Sequence, residues 1–310
     1  MAFPDFQKIL IEKGAEFAPL TQKVLAALPG IAVENTDPAG SPPLFPALPV
    51  TKRTLLLTRF KGELVKPCPG TKEYICCGYR ILHVGSNCPL DCSYCILQGY
   101  FNQPYVRLFV NTDEIFHRLH TYVQAHGDEI IRLGTGEFTD SLALDHLTGL
   151  TRLLRSELER YNNVIVELKT KTVNIQNLLQ LPVTKKIIVA WSLNPPKIIG
   201  KEEPGAATLE ERIQAAALCQ KKGYLLGFHF DPIFYFSGWE ELYEQTIGLL
   251  FSRIRPENIA WISLGCFRFL PPMKGIIERL HPRSSFIHQE FIPALDNKMR
   301  YPQPRRVEMY

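Results

Sequence analysis

Three cysteines lie within eight residues of one another in the stretch NCPLDCSYCILQ, which begins at Asn87. Cys88, Cys92 and Cys95 follow the spacing C-x3-C-x2-C. A structural zinc site takes four ligands, usually as two separated C-x2-C pairs, and fits this set poorly. Three thiolates on one tight loop instead suit a [4Fe–4S] cluster with one iron left open for a small molecule. The alternatives are a zinc knob, or three thiols that share a loop without binding metal.

Three further cysteines precede this loop, Cys68, Cys76 and Cys77 in the stretch KPCPGTKEYICCGY. They are candidates for a second cluster, a zinc site or a reactive-thiol site. The favoured interpretation is reduced thiols packed around the entry to the domain, because cysteine is commonly buried and adjacent cysteines rarely point at one metal. Of the other two cysteines, Cys219 lies in a helical run and is expected in the core, and Cys266 ends the last predicted strand.

The composition is that of a globular protein that can bury a sizeable core, since 45% of the 310 residues are hydrophobic and 21% are charged. A net charge of +4 is too small to indicate a nucleic-acid partner by itself. The N-terminal stretch MAFPDFQKILIEKGAEF lacks an apolar signal core, and no run reaches the roughly 18 apolar residues of a membrane span. We therefore expect a cytoplasmic protein without membrane contact, in which clustered cysteines indicate metal rather than disulfides.

From about Tyr79 onward, six short apolar runs alternate with amphipathic segments. Runs that are apolar on both faces are typical of parallel strands covered by helices. The six runs are YRILHVG (79–85), EIIRLGT (129–135), NVIVELK (163–169), KIIVAWSLN (186–194), GYLLGFHF (223–230) and NIAWISLG (258–265). Segments such as DEIFHRLHTYVQAHG and LEERIQAAALCQKKG supply helices between them. The pattern predicts an α/β fold, a partial (βα)6 TIM-type barrel whose first strand leads into the cysteine loop, at the end where such barrels carry active sites.

The chain is expected to have two parts. Residues 1–60 hold two short helices, DFQKILIEKG and LTQKVLAALPG, and the Pro-rich linker ENTDPAGSPPLFPALP (34–49), and are expected to pack on the barrel. Residues 61–310 form the (βα)6 domain with a C-terminal extension. After Pro271 this extension is expected to be irregular and then basic, at Lys298, Arg300, Arg305 and Arg306.

The cysteine loop after a first barrel strand resembles that of the radical S-adenosylmethionine (SAM) enzymes. The resemblance implies that Cys88, Cys92 and Cys95 bind a [4Fe–4S] cluster and that SAM chelates its open iron. In that superfamily the reduced cluster cleaves SAM to methionine and a 5′-deoxyadenosyl radical, which abstracts hydrogen. An electron donor such as flavodoxin or ferredoxin is implied as a partner.

Within that superfamily, nearly the whole chain resembles the spore photoproduct lyase-like family. The matching stretches occur in order along the chain: DCSYCILQ, PYVRLFVNTDEI, TDSLALDHLT, LKTK, SLN, EPGAATLEERIQAA, GYLLGF with DPI, GWEELY and FRF. The lyases of this family reverse a thymine dimer found in the DNA of ultraviolet-exposed spores. The resemblance therefore implies a lyase-like radical SAM enzyme.

Five residues take expected roles from this resemblance. Lys171 matches a lysine that reaches the SAM carboxylate, and Ser192 and Asn194 match a polar pair suited to hydrogen bonding with SAM. Tyr94 matches a tyrosine inside the cysteine loop and is expected to be catalytic. Arg268 matches a basic residue on the substrate side.

Two positions depart from the lyase pattern. The lyases carry a hydrogen-donating cysteine after their second strand, where this chain has Glu137, and a relay tyrosine after the last cluster cysteine, where it has Ile96. A carboxylic acid is a poor hydrogen-atom donor in comparison with a thiol. Glu137 instead fits the Gly-Gly-Glu element that holds the SAM amino group in many radical SAM enzymes, together with Gly134 and Gly136. Glu137 is therefore predicted to bind SAM and is a candidate catalytic group, with a structural carboxylate as the alternative.

Three functions follow from these observations. The first is a radical SAM enzyme whose substrate and hydrogen-returning residues differ from those of the lyases. The second is a DNA photoproduct lyase that uses another donor, such as Cys266 or an external reductant. The third is a non-catalytic iron–sulfur or zinc module. The basic C-terminal stretch, in which Arg300 is a second candidate for substrate contact, is compatible with a nucleic-acid substrate through phosphate binding.

Overall fold

The structure, a computed structural model, describes residues 5–37, 52–68, 78–100 and 105–310. Strands and helices were numbered in chain order over these residues. The strands are β1 (Lys8–Glu12), β2 (Ala32–Thr36), β3 (Thr54–Thr58), β4 (Val65–Pro67), β5 (Tyr79–Leu82), β6 (Gly85–Ser86), β7 (Val106–Phe109), β8 (Ile131–Gly134), β9 (Val164–Thr170), β10 (Ile187–Ser192), β11 (Leu225–Ile233), β12 (Ile259–Cys266), β13 (Arg268–Phe269), β14 (Ile292–Pro293) and β15 (Met299–Arg300). The helices are α1 (Pro19–Ala27), α2 (Leu97–Tyr100), α3 (Thr112–Ala125), α4 (Asp145–Thr148), α5 (Leu150–Glu157), α6 (Gln176–Gln180), α7 (Pro196–Glu202), α8 (Leu209–Lys222), α9 (Trp239–Arg253), α10 (Met273–Leu280) and α11 (Gln303–Met309).

The six apolar runs form six parallel strands, which confirms that part of the prediction. The main sheet has the order β12-β11-β10-β9-β8-β5-β4, so β5 and β8 to β12 lie side by side in chain order. Only β4 is antiparallel to its neighbour. Helices α3 to α9 lie in the connections between these strands, as a parallel sheet requires. The fold is therefore mixed α/β, with the C-terminal ends of six strands along one edge.

Contacts across the main sheet show that it is curled. The guanidinium of Arg132 on β8 lies 4.8 Å from the centre of the Trp261 ring on β12. The indole Nε1 of Trp261 also donates to Glu167 Oε1 on β9, at 3.1 Å. In a flat sheet, strands four places apart stand about 19 Å from one another. The sheet is therefore an open arc, and in the described residues β12 does not pair with β4 or β5 to close it.

A second sheet, of order β2-β1-β3-β7-β6, corrects the prediction for the N-terminal segment. The stretch DFQKILIEKG, predicted as a helix, contains strand β1, in which Ile9 and Ile11 are buried and alternate with more exposed residues. This alternation has the period of a strand. The second predicted helix is present as α1, and residues 38–49 of the predicted linker lie outside the described residues. Because β7 also joins this sheet, it contains residues on both sides of position 60, and the proposed domain boundary stays a prediction.

The stretch after Pro271 is more regular than predicted. It contains α10, α11 and strands β14 and β15, which form a small sheet with β13 in the order β13-β15-β14. In this sheet Arg268 pairs with Arg300, so the C-terminal extension returns to the end of β12. Among the described residues, no helix is both long and apolar enough to cross a membrane.

Candidate active site

A cavity of about 490 Å³ lies at the C-terminal ends of the main-sheet strands. This volume is within the range of about 300–1,000 Å³ usual for small-molecule sites. Its walls come from the cysteine loop, from the loop after β8, and from the ends of β9 to β12. The described lining residues are Cys68, Cys88, Leu90, Cys92, Tyr94, Cys95, Ile96, Leu97, Tyr100, Gly136, Glu137, Phe138, Thr139, Asp140, Lys169, Thr170, Lys171, Ser192, Asp231, Pro232, Phe267, Arg268 and Lys298.

All three cysteines of the C-x3-C-x2-C loop line this cavity. Cys88 and Cys92 are buried, whereas Cys95 is partly exposed. Burial raises the pKa of Cys88 to about 12 and also raises the pKa of Cys92. The buried thiols are therefore protonated until a metal or another cation favours the thiolates.

The arrangement of the cysteine loop is compatible with a cluster. In the described residues, no three His, Cys, Asp or Glu side chains are arranged to hold one metal ion. In a cubane cluster each cysteine binds a different iron, so its ligands surround the cluster instead of converging on one point. The three cysteines on one cavity wall are therefore compatible with the predicted [4Fe–4S] cluster.

Backbone and side-chain hydrogen bonds fix this loop to the end of α7 and to the residues that follow it. The amide of Asp91 donates to Pro204 O at 3.0 Å, and the amide of Ser93 donates to Glu202 O at 2.9 Å. The Ser93 hydroxyl donates to the buried Glu202 carboxylate, which also accepts from Ser284. Residues more than 100 positions away therefore set the course of the cysteine loop.

A buried ion pair supports Tyr94. The Tyr94 hydroxyl donates to Glu203 Oε1, and Arg212 Nη2 donates to Glu203 Oε2 at 2.5 Å. Both side chains of the ion pair are fully buried. Burial acts to raise the pKa of Glu203, but the cations of Arg212 and Lys171 outweigh it and hold that pKa below its ordinary value. Sequence reasoning missed this pair, although Glu203 and Arg212 lie in the stretch EPGAATLEERIQAA that carries the family resemblance.

The loop after β8 places Glu137 on the wall of the same cavity. Glu137 Oε1 accepts from Lys169 Nζ at 2.6 Å. Burial acts to lower the pKa of Lys169, but Glu137, Glu167 and Asp231 together raise it above its ordinary value, so the ammonium stays charged. A Cβ on Gly136 would lie 3.0 Å from the Cβ and 3.1 Å from the carbonyl oxygen of Lys169. An alanine at 136 would therefore force Lys169 to shift by a few tenths of an ångström.

Asp140 clamps the same loop to the end of β9. Its Oδ1 accepts from the Thr170 hydroxyl at 2.7 Å, and its Oδ2 accepts from the Lys171 amide at 2.8 Å. Ser141 adds a reciprocal pair of hydrogen bonds with the backbone of Lys169, each 3.1 Å long. Asp140 and Lys169 are cavity-lining residues that the sequence analysis did not name. The stretches TDSLALDHLT and LKTK contained them.

The predicted SAM-binding residues separate into two groups. Glu137, Gly136, Lys171 and Ser192 line the cavity, whereas Gly134 and Asn194 are not among its lining residues. A Cβ on Gly134 would overlap the Tyr79 ring, which explains that glycine by packing. The amide of Asn194 donates to Glu203 at 3.2 Å and accepts from Tyr243 at 2.7 Å, so in this structure it positions Glu203. Direct contacts of Gly134 and Asn194 with SAM stay predictions.

The predicted substrate residues also differ in position. Arg268 lines the cavity and forms a two-pronged ion pair with Asp231, at 3.0 and 3.2 Å. Arg300 is buried outside the cavity lining and is paired with Asp296. Lys298, which the sequence analysis placed only in the basic stretch, reaches the cavity instead. The contact between Arg300 and substrate stays a prediction.

Two cysteines considered as reactive groups have different surroundings. Cys266 is buried against Met309, with 3.9 Å between their sulfurs, and is not among the cavity-lining residues. Cys68, directly after β4, is partly exposed and lines the cavity. Cys76 and Cys77 lie outside the described residues.

Comparison with known proteins gives consistent matches. The family model described as spore photoproduct lyase matches residues 71–293. The chain is 30% identical over 203 residues to the spore photoproduct lyase of Bacillus subtilis (strain 168), over 64% of this chain and 59% of that protein. It is 28% identical over 204 residues to the spore photoproduct lyase of Geobacillus sp. (strain Y412MC61), over 65% of this chain and 60% of that protein. The chain thus spans about three fifths of the length of these relatives.

Solved structures share the fold over almost the whole chain. A spore photoproduct lyase double mutant with bound AdoMet and dinucleoside spore photoproduct superposes with a TM-score of 0.84 at 23% identity, covering 98% of this chain and 93% of that one. Spore photoproduct lyase complexed with dinucleoside spore photoproduct gives a TM-score of 0.83 at 22% identity, with the same coverage. At these identities the likeness concerns the fold.

Proposed function

The chain belongs to the spore photoproduct lyase family, and on that premise we propose that it is a radical SAM enzyme. Cys88, Cys92 and Cys95 would hold a [4Fe–4S] cluster, and SAM would bind in the adjoining cavity. The observation that carries the proposal is the convergence of these three cysteines with Glu137 and Lys171 on one cavity. We also propose that the open arc of six parallel strands is the (βα)6 barrel of this superfamily and that the protein is cytoplasmic.

The residues present fit both groups. Three cysteines leave one iron of a cubane without a protein ligand. The ammonium of Lys171 contacts the Tyr94 ring, with 5.8 Å between Nζ and the ring centre. Among the described residues, no carboxylate lies within the 4.0 Å ion-pair distance of that ammonium. A lysine side chain without a carboxylate partner in this part of the chain suits the SAM carboxylate as a ligand.

Glu137 is assigned to the SAM amino group. Its carboxylate is already held by Lys169 at 2.6 Å, and a carboxylate can accept several hydrogen bonds at once. Lys169 therefore orients Glu137 without using all its acceptor sites. The Ser192 hydroxyl, at the end of β10 and on the cavity wall, is assigned to the ribose or methionyl part.

When bound, the cluster would supply the electron that cleaves SAM to a 5′-deoxyadenosyl radical for hydrogen abstraction. An electron donor of the flavodoxin or ferredoxin type would be needed as a partner. Tyr94 forms part of the cavity wall beside which this chemistry would take place. Because a carboxylate occupies position 137, the return of hydrogen to a product radical is proposed to differ from that of the lyases.

A second function, repair of a DNA photoproduct, is favoured by one observation. Cys68 supplies a thiol on the cavity wall, whereas Cys266 is not among the lining residues. A thiol is a much better hydrogen-atom donor than a carboxylic acid. Cys68 is therefore the stronger candidate for a donor that would replace the missing cysteine.

Anaerobic reconstitution tests the first proposal. The wild-type chain should bind about four irons and release 5′-deoxyadenosine from SAM under dithionite. The matched control replaces Cys88, Cys92 and Cys95 together by Ala and should do neither. A chain that binds one zinc and leaves SAM intact would instead be the non-catalytic module, and the proposal would be wrong.

Irradiated thymine dinucleotide separates the two enzymatic functions. A repair lyase that uses Cys68 should restore thymine, and Cys68→Ala should lower repair while 5′-deoxyadenosine release continues. Cys219→Ala is the control, because Cys219 is buried in α8 outside the cavity lining. Release of 5′-deoxyadenosine by the wild-type chain without repair would favour a different substrate.

A further inference from the structure

A lysine of the N-terminal sheet reaches into the cysteine loop. Lys52, two residues before β3, donates from Nζ to the carbonyl oxygen of Leu90. The same Nζ lies 3.1 Å from Asp91 Oδ1. Leu90 and Asp91 occupy the loop between the first two predicted cluster ligands, Cys88 and Cys92. An element outside the main sheet thus contacts the part of the loop that must keep its shape for metal binding.

The charge of Lys52 is only partly compensated by its direct partners. The Lys52 side chain is 12% exposed, whereas the Asp91 side chain is 55% exposed and can be solvated by water. Burial acts to lower the pKa of Lys52, but the negative charge that Cys88, Asp91 and Cys95 can carry raises it overall. The ammonium is therefore retained in a place where thiolate charge would accumulate on metal binding.

A fixed cation beside an iron–sulfur cluster has a defined effect. Three thiolates and an oxidised [4Fe–4S] core together carry a net negative charge, and one-electron reduction makes that charge more negative. The potential of such clusters depends on net charge, hydrogen bonding and exposure. A neighbouring ammonium therefore stabilises the reduced state over the oxidised one.

We propose that Lys52 is a positioning residue of the cluster loop, which holds Leu90 and Asp91 in place and raises the reduction potential of the cluster. This inference rests on the proposed function, since it presupposes that Cys88, Cys92 and Cys95 bind the cluster. A unit charge within about 10 Å at an effective dielectric constant of about 20 changes an equilibrium by about tenfold. For a one-electron couple, tenfold corresponds to about 59 mV.

The chain offers a matched control for a purely structural role. Lys23, on α1, also extends from the N-terminal sheet region and donates from Nζ to Thr148 O at 2.9 Å. Thr148 ends α4, and neither residue is among the described residues that line the cavity. Loss of Lys23 should therefore weaken a similar tie between the two sheets without changing the electrostatics at the cluster.

The test is an EPR-monitored redox titration of the reconstituted chain, together with its iron content. Lys52→Met should lower the potential by about 59 mV, a tenfold change, and should bind the cluster less firmly. Lys52→Arg should retain most of the wild-type potential, and Lys23→Met should leave it unchanged. Asp91→Asn removes the opposing charge from the same loop and should raise the potential.

The outcomes distinguish the inference from its premise. A wild-type chain that takes up no iron would refute the proposed function and the inference together. Full iron with equal potentials in Lys52→Met and wild-type protein would overturn the inference alone. An equal shift of the reduction potential in Lys23→Met would show that Lys52 has only a general structural role, which would also overturn the inference. If Lys52→Met retains too little cluster to titrate, an unchanged or lower potential in Asp91→Asn would contradict the electrostatic role.

Discussion

The buried pair of Glu203 and Arg212 gives the strongest test of how the site is held. The substitution Glu203→Gln removes one charge while preserving shape. Arg212 then keeps its hydrogen bonds to the carbonyl oxygens of Ala207 and Ser192, at 2.8 and 2.9 Å, but loses the neutralising carboxylate. Breaking a fully buried pair by removing one partner usually costs about 3–5 kcal/mol. Because two backbone acceptors remain, we expect a loss of about 3 kcal/mol in the free energy of unfolding.

The assay is urea unfolding of the reduced, cluster-free chain, followed by far-ultraviolet circular dichroism. The double variant Glu203→Gln/Arg212→Met removes the unpaired charge and should recover more than half of the loss, since replacing a buried pair by apolar groups is often nearly neutral. Glu159→Gln breaks the pair with Arg155, in which Glu159 is 65% exposed, and should cost about 0.5 kcal/mol or less. The slope of the unfolding free energy against urea should be the same for all variants.

The same variants should change the cysteine loop. The Tyr94 hydroxyl donates to Glu203, so loosening Glu203 should loosen the loop between Cys92 and Cys95. After anaerobic reconstitution, Glu203→Gln should therefore retain less iron than the wild-type chain. A loss below about 1 kcal/mol, or an equal loss in the double variant, would refute the claim that an unpaired guanidinium is the cause.

Four further outcomes are expected. Cys92→Ala should bind clearly fewer than about four irons per chain, and iron that stays at four would refute the ligand assignment. Gly136→Ala would bring a Cβ within 3.1 Å of the Lys169 carbonyl oxygen; it should cost about 1–3 kcal/mol in urea unfolding, and an unchanged stability would contradict that contact. Lys171→Met should weaken SAM binding by about tenfold or more in calorimetry, with an unchanged dissociation constant as the contrary result. In the folded chain the pKa of Glu203 lies below its usual value of 4.5. The stabilising effect of its carboxylate is therefore present above pH 4.5 and is lost as the pH falls through the folded pKa. The free energy of unfolding should fall more steeply in acid for the wild-type chain than for Glu203→Gln.

The parts of the fold that could be predicted from the sequence have local signals. Runs such as NVIVELK and KIIVAWSLN are apolar on both faces because both faces of the strand are covered, and they form β9 and β10. The spacing of the three cysteines was enough to predict that they form one metal-binding loop. Strand β1 was mistaken for a helix because a run of five residues is too short for its period to separate the two structures. Pairing with β2 and β3, on both sides, decides in favour of the strand.

The supports of the site have no such local signal. Glu203 reads in the sequence as one more acidic residue before Pro204, and Lys52 as one more surface lysine. Their roles arise only when the folded chain brings them to the cysteine loop. Glu203 and Tyr94, which share a hydrogen bond, are 109 positions apart in the sequence. Lys52 and Leu90, which share another, are 38 positions apart. A family resemblance could assign expected roles to Cys88 and Lys171 from their motifs. It could not show which other residues keep these side chains in position.

The anchors of the cysteine loop come from three separate parts of the chain. Lys52 directly precedes the N-terminal sheet, Glu202 ends α7 and Glu203 follows it, and Ser284 belongs to the C-terminal extension. The predicted ligands lie within eight residues, so local sequence can provide their spacing but not their rigidity. A cluster with one open iron needs that rigidity, because the three ligands alone must fix which iron faces SAM. We therefore expect the N-terminal sheet and the C-terminal extension to support the proposed cluster site, and removal of either should impair cluster binding before it impairs the main sheet.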